Sequence, residues 1–434
     1  MPIETSRQSA LRLLVALLMA ASMWLYVELV LIPHQKTQAL LQASPRGNLS
    51  DLYPRWLGAR ELLLHRRDPY RADVTREIQI GYYGRPLDSA RPNDPKDQQA
   101  FAYPIYVVLL LAPTVTLPFA AVREIFFYLF AVCAAAMVPL WLRTIGWRVS
   151  RHAIAIWILL CVSCFPSIQG LKLQQLSILV ATLIAGSVYA LARRQFAVAG
   201  TLLALATIKP QLVALLALWL GIWVLGNWRE RQRVLWSFTA TLAVLVIAGE
   251  ALLPGWISEF RNATQDYYRY TGGGKSVLDV MLSPVWGRIT AALLIAMLLV
   301  LSWRNRRANQ DTSVFQWSLS FTLTTTLLVI PMFAPYNQLL LLPAIMMTVR
   351  SAHDLWRKDR LSRLFCSLTA LSILWQFLAA AALVSALAFL PAATVQKPWS
   401  LPIYPSFAIP ILIYAVLLSS MRALTAQPNT LTEG

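Results

Sequence analysis

From Ala10 to Ile32, and repeatedly from there to residue 421, the chain passes through Leu-, Ala-, Val- and Ile-rich stretches almost free of charge. A helix that crosses a bilayer needs about 20 such residues. The stretches do not alternate apolar with polar residues, which argues against a transmembrane β-barrel. Helices are the remaining way to satisfy the backbone in lipid. Only 13% of the residues are charged and 57% are hydrophobic, whereas a soluble domain is about one quarter charged. The expectation is one integral membrane domain over 1–434, an all-α polytopic protein with about 10–12 transmembrane helices. Its parts would be a first helix at 10–32, a long outer loop at 33–100 with interfacial helices, a bundle at 101–421 and a cytoplasmic tail at 422–434. The first run is too long for a cleaved signal and has no small-residue cleavage site after it, so it reads as a retained helix.

Lys and Arg outnumber Asp and Glu by 38 to 20, a net charge of +18. The excess lies in short clusters between apolar runs, the positive-inside pattern, with attraction to anionic membrane lipids as a second consequence. No platform of interleaved aromatic and basic residues is visible, so nucleic acid is not an expected partner. Arg7 and Arg12 place the N-terminus in the cytoplasm. The clusters at Trp228–Arg233, Trp303–Arg307 and Arg350–Arg363 mark further cytoplasmic loops, leaving outer segments at 33–99, 254–283, 335–338 and 396–399. Arg143, Arg148 and Arg151 conflict with this scheme. They look cytoplasmic by charge, yet two full spans at 103–120 and 122–142 would put them outside. The four cysteines sit in apolar runs and read as small packing residues; Cys161 and Cys164 lack the second pair that a zinc site needs.

Eight of the 20 acids fall in the first outer segment: Asp51, Glu61, Asp68, Asp73, Glu77, Asp88, Asp94 and Asp97. Apolar residues recur at helical spacing over Leu52–Leu64, which predicts a short interfacial helix. The stretch from Asp68 to Pro95, rich in Pro, Gly, Asp and Arg, reads as loop. Asp51 stands at the head of that helix. Ser50 or Asp51 could cap its N-terminus, with Pro54 in the first turn. Asp51 could equally be a general base at the membrane–water boundary, and the two roles are compatible. Asp68 before Pro69 favours a turn. Glu28 and Glu250 are acids at membrane depth, close to the outer boundary.

The segment Asp51-Leu-Tyr-Pro-Arg-Trp through Asp68-Pro-Tyr70 resembles the signature of glycosyltransferase family 87, membrane enzymes of the polyprenol-phosphate mannosyltransferase type with a GT-C fold. Later segments agree in order. Phe101-Ala-Tyr-Pro-Ile-Tyr106, with Pro113 and Leu117-Pro118, is similar to the family's F-x-Y-P-P stretch, with Ile105 in place of the second proline. Leu173-Gln-Gln-Leu-Ser-Ile178 is similar to its G-Q-x-N segment. There, either Leu173/Gln174 or Gln174/Gln175 replaces Gly-Gln, and Ser177 replaces Asn. Arg193-Arg194, Ala199-Gly200 and Ile208-Lys209-Pro210 resemble the basic turn, Ala-Gly and Lys-Pro that follow. The likeness extends over about residues 45–345.

The resemblance implies an inverting transfer of a hexose, mannose above all, from a polyprenyl-phosphate donor to a lipid or glycan acceptor. Asp51 would be the base. Lys209, a lysine inside an apolar run, would meet the leaving phosphate unless it only snorkels to an interface. Tyr103 and Gln175 would line the same cavity, and Arg55 and Tyr70 in the signature segment would contact substrate. The family often carries a histidine in the late outer turn. Here that turn is Ala334-Pro-Tyr-Asn-Gln338, so Tyr336, Asn337 or Gln338 would serve there by hydrogen bonding. No cofactor is implied, although Asp94 and Asp97 leave weak Mg²⁺ binding open. The expected setting is a bacterial inner membrane with the site on the periplasmic face. The competing function is a transporter or flippase of isoprenoid-linked glycans. It is less favoured because no internal repeat is visible and the acids cluster in one outer loop. Gly272-Gly-Gly-Lys-Ser276 resembles the end of a P-loop but lacks the earlier glycine and a preceding strand. It reads as an outer loop whose Tyr267, Tyr268, Arg269 and Tyr270 could lid the site.

Overall fold

A computed structural model describes residues 6–88, 90–419 and 421. The expected tail at 422–434 lies outside the described residues. Helices account for the fold, and no strand occurs among the described residues, so the Gly272–Ser276 segment has no P-loop setting.

The chain opens with α1 (Ser6–Tyr26), a π turn (Val27–Leu31) and α2 (Ile32–Leu41). Together they form one rod, longer than the expected 10–32. Pro33 cannot donate to the carbonyl four residues back and crowds it; a π turn widens the helix at that place. The outer segment carries α3 (Tyr53–His65) and α4 (Ala72–Tyr83). The first was expected; the second replaces part of the expected loop, burying Val74, Ile78 and Tyr82 along one face. Next come α5 (Val107–Leu111) and α6 (Phe119–Ile145).

The run at 103–120 is therefore not a span. Pro104, Pro113 and Pro118 break it, and its apolar residues pack inward: Val107, Val108 and Leu111 are fully buried. With one crossing fewer, α6 leads from the Asp51 side to the arginine side, and the conflict over Arg143, Arg148 and Arg151 disappears. Contacts agree with this, since Arg350 donates to the Ile145 carbonyl at 2.6 Å and Gln316 to that of Thr144 at 3.2 Å.

The bundle continues with α7 (Arg151–Ser163), α8 (Phe165–Lys172), α9 (Leu176–Ala192), α10 (Phe196–Leu205), α11 (Pro210–Gly226) and α12 (Trp228–Leu252). After the amphipathic α13 (Trp256–Tyr270) and short α14 (Val277–Leu282) come α15 (Pro284–Asn305), α16 (Ser313–Val329), α17 (Leu342–Arg350) and α18 (Ala352–Lys358). The chain then forms α19 (Arg360–Ala386), α20 (Ala392–Val395) and α21 (Ala408–Ser419).

Among the described residues, six stretches are long and apolar enough to cross a membrane: Arg7–Leu41, Phe119–Ile145, Trp228–Leu252, Pro284–Asn305, Arg360–Ala386 and Leu401–Ser419. The α7–α8 pair, bent by 55°, is either a broken seventh span or a re-entrant loop. Between them α9, α10 and α11 are apolar but shorter. At 1.5 Å per residue, α9 and α11 measure about 25 Å, against a hydrocarbon core of about 30 Å. Their ends stop inside the bundle and leave room for polar side chains.

At the centre stands α16, buried along almost its whole length. Its Thr322, Thr324, Thr325 and Thr326 hydroxyls each donate to the carbonyl four residues earlier, at 2.8–2.9 Å. The hydroxyls are thus satisfied without a partner helix. Near the arginine-rich end, the buried Arg231 clamps three segments. It donates to the carbonyls of Trp223 (2.9 Å), Arg306 (2.8 Å) and Ala308 (3.0 Å), with its guanidinium 3.9 Å from the Trp223 ring centre. Arg231→Leu strands the Trp223 and Arg306 carbonyls, at roughly 1–3 kcal/mol for each one left unpaired, while Ala308 O keeps its bond from Trp223 Nε1 at 2.8 Å. The expected result is a clearly lower melting temperature in detergent; an unchanged one would show that the clamp does not hold the junction.

Candidate active site

Four helix ends converge on one hollow: the start of α9, the end of α10 with its 3-10 extension (Ala206–Ile208), the start of α11 and the end of α16. Gln175, Ile208, Lys209, Pro210, Ile330 and Pro331 from these ends line a cavity of about 540 Å³. Asp51, Arg55, Asp97, Gln99 and Tyr103 line it from the outer segment, and Tyr336 and Asn337 from the late turn. Phe260, Thr264, Tyr267 and Tyr268 of α13 complete the wall; of the four residues expected as a lid, Arg269 and Tyr270 do not line the cavity, and all four belong to a helix rather than a loop.

Local sequence explains each placement. Proline disfavours the helical conformation in the residue before it, and Lys209, preceding Pro210, takes φ −124°, ψ 79° at the break between two helices. Its ammonium is thereby presented to the hollow while remaining 5% exposed. The α8–α9 turn is a Schellman motif. Gln174 occupies the left-handed position (φ 46°), its N–H bonds Leu171 O at 3.2 Å, and Gln175 N–H bonds Gly170 O at 2.8 Å. Glycine suits that place best, so Gln174/Gln175 is the pair that corresponds to Gly-Gln. Asp51 docks on the same turn through its N–H to Leu173 O at 2.8 Å. Neither Ser50 nor Asp51 caps α3: its N-cap is Leu52, with no side-chain capping bond.

Gln175 joins the two charged groups. Its Oε1 accepts from Lys209 Nζ at 2.7 Å, and its Nε2 donates to Asp51 Oδ2. A lysine can only donate and a carboxylate can only accept, which fixes the amide's orientation. Lys209 also donates to Ser177 Oγ at 2.7 Å, and Ser177 to Asn337 Oδ1 at 2.8 Å. Aromatic faces flank the cations. Arg55 lies 4.4 Å from the Tyr103 ring centre, and Lys209 lies 5.9 Å from Tyr103 and 5.2 Å from Tyr336.

Two expected residues lie elsewhere. Tyr70 does not line the cavity; its hydroxyl donates to the Tyr103 carbonyl at 2.6 Å and its ring packs edge-on against Phe101. Gln338 faces away from the polar hollow, donating to Ser406 O at 2.6 Å and bordering a separate apolar hollow of about 440 Å³ between α7, α17 and α19. Asp97, Gln99 and Gln211 line the cavity without having been singled out for it. By sequence Asp97 suggests only weak Mg²⁺ binding, yet it stands four residues before the Phe101–Tyr106 motif, a signal that could have tied it to the cavity. Asp94, by contrast, is paired with Arg85. Glu28 pairs with Lys172, and Glu250 accepts from Gly255 N–H at 2.8 Å. Among the described residues no three His, Cys, Asp or Glu side chains come together as a metal cluster.

A family model for glycosyltransferase family 87 matches residues 101–331, just over half of the chain. The chain belongs to glycosyltransferase family 87. No curated protein and no solved structure matches it significantly. The matched residues of this family 87 glycosyltransferase include Tyr103, Gln175 and Lys209; Asp51 and Arg55 precede them, and Tyr336 and Asn337 follow. The cavity is thus built from both matched and flanking segments.

Electrostatics in the cavity is balanced, with Asp51 and Asp97 set against Arg55 and Lys209. Burial pushes the Asp51 carboxyl above its ordinary range. Arg55 pulls it back, Asp97 pushes it further up, and Lys209 and the Gln175 hydrogen bond pull it down. The ionised form is lost as pH falls through this raised value. Transfer that needs an ionised Asp51 should therefore show an acid limb in kcat/KM above the ordinary carboxylate value of about 4. Arg55→Gln removes the strongest opposing influence and should move that limb to higher pH. A limb that stays in place would contradict this coupling.

Proposed function

We propose that this glycosyltransferase moves a hexose, mannose being the first candidate, from a polyprenyl-phosphate donor to a lipid or glycan acceptor, with inversion. The observation that carries the reading is the Asp51–Gln175–Lys209 chain inside one cavity. It supplies a proton acceptor and a cation at the two ends of a single displacement. Asp51 takes the acceptor's hydroxyl proton while the acceptor oxygen bonds to the anomeric carbon. The bond from that carbon to the phosphate oxygen breaks, and its electron pair stays on the phosphate. Lys209 offsets the charge gained there, supported by the N-termini of α9 and α11, which open onto the cavity. Tyr103, Tyr336 and Asn337 hold the head group, and Arg55 fixes the Asp51 backbone through its carbonyl.

The apolar hollow bordered by Gln338 lies one residue from Asn337 along the late turn and suits the first units of the donor's tail. Arginine clusters gather at the opposite end of the bundle, and the positive-inside rule then favours a site on the outer, periplasmic face of a bacterial inner membrane.

The test uses membranes containing the full chain and radiolabelled polyprenyl-phosphate mannose. Asp51→Asn should lower transfer by on the order of 100–10,000-fold with insertion unchanged; retained transfer would remove Asp51 as the base. Lys209→Met should lose donor turnover while Lys209→Arg keeps part of it. Full turnover in both would exclude the phosphate role.

A further inference from the structure

Besides Asp51, the cavity is lined by a second carboxylate that the displacement leaves unused. Asp97 is held from two sides: Gln99 donates to Oδ2 through its side chain at 2.7 Å, and Tyr267 of α13 donates to Oδ1 at 3.0 Å. Gln99 adopts φ +51°, a conformation rarely taken by a residue with a side chain. It is 3% exposed, lines the cavity, and its Oε1 has no hydrogen-bond partner among the described residues. A buried acceptor left unpaired costs roughly 1–3 kcal/mol, and backbone strain concentrates at functional sites. Both features gain a reason if a ligand donates to this corner.

Asp97 and the Gln99 Oε1 are hydrogen-bond acceptors. They repel a phosphate and match a ligand rich in hydroxyl donors. The Arg55 Nε, also buried without a partner, adds a donor for a ring or hydroxyl oxygen. The aromatic side chains of Tyr268 and Phe260, which line the wall, offer apolar surface to the C–H face of a pyranose. We propose that Asp97 and Gln99 form the hydroxyl-recognition subsite for a hexopyranose ring, and that they determine which sugar the cavity accepts. The subsite rests on the glycosyl-transfer activity and is independent of which carrier brings the sugar. Asp97 Oδ1 already accepts from the Gln99 N–H as well as from Tyr267, so the free lone pair on Oδ2 accepts from one ring hydroxyl, and Gln99 Oε1 from the same hydroxyl or the next.

Free glycosides test this directly. The probes are methyl α-mannopyranoside, methyl α-glucopyranoside and methyl α-galactopyranoside, titrated against the purified full chain in lipid nanodiscs and followed by saturation-transfer NMR. At least one should bind the wild type. Asp97→Asn and Gln99→Leu should each weaken that binding by roughly fivefold or more, the worth of about one hydrogen bond. Tyr267→Phe removes a donor to Asp97 but leaves its acceptors in place, and should keep binding within about twofold. Absence of glycoside binding to the wild type would overturn the subsite, as would full binding in Asp97→Asn. A loss in Tyr267→Phe equal to that in Asp97→Asn would overturn it too, by reducing Asp97 to an anchor for α13. Asp97-dependent glycoside binding without transfer from any polyprenyl phosphate would sink the donor assignment alone and leave the subsite standing.

Discussion

One side-chain amide holds the site together. A lysine and a carboxylate buried in a membrane protein are each expensive alone, and direct contact between them would leave a closed ion pair with little to offer a substrate. Gln175 stands between the two and satisfies both, accepting from Lys209 and donating to Asp51. Each charged group keeps its character and its access to the cavity. Much of the surrounding structure serves this bridge. The Schellman turn sets Gln175 at the head of α9, the Lys209-Pro210 break turns the ammonium inward, and the Asp51 N–H is bonded to the turn that carries the amide.

The bundle makes room for this arrangement by being short at its centre. Long helices such as α6, α12, α15 and α19 form full-length rods, whereas α9, α10 and α11 stop early. Their ends enclose a polar hollow that water or a head group can reach, with apolar surface continuing beside it. Such a shape suits a substrate that is charged at one end and greasy at the other. The outer segment then closes the hollow with α3 and the Phe101–Tyr106 stretch, and α13 completes the wall.

Much of this was legible in the sequence, and the failures have physical reasons. Lys209 was conspicuous as a lysine inside an apolar run, and the Pro210 after it explains the helix break found there. Asp51 was conspicuous as an acid at the head of an amphipathic helix, although only the structure shows that it does not cap that helix. Hydropathy alone made 103–120 a span, when Pro104, Pro113 and Pro118 already argued otherwise. The spacing of Val74, Ile78 and Tyr82 was helical, but Pro and Gly on either side masked it. Tyr70 and Gln338 sat in the right motifs and face the wrong way, because a motif does not reveal which carbonyl a side chain will find. Gln99 was invisible: nothing in a loop sequence marks a glutamine that will adopt a left-handed backbone and bury its amide.

In the proposed displacement Asp51 acts on the acceptor and never on the sugar. The anomeric configuration of the product tests it most directly. Transfer by the purified enzyme from a donor of defined anomeric configuration, with the product read by NMR, should give inversion. Retention of configuration would contradict this role, because it needs either a glycosyl–enzyme intermediate or attack from the leaving group's own face, and neither is an in-line displacement with Asp51 as its base.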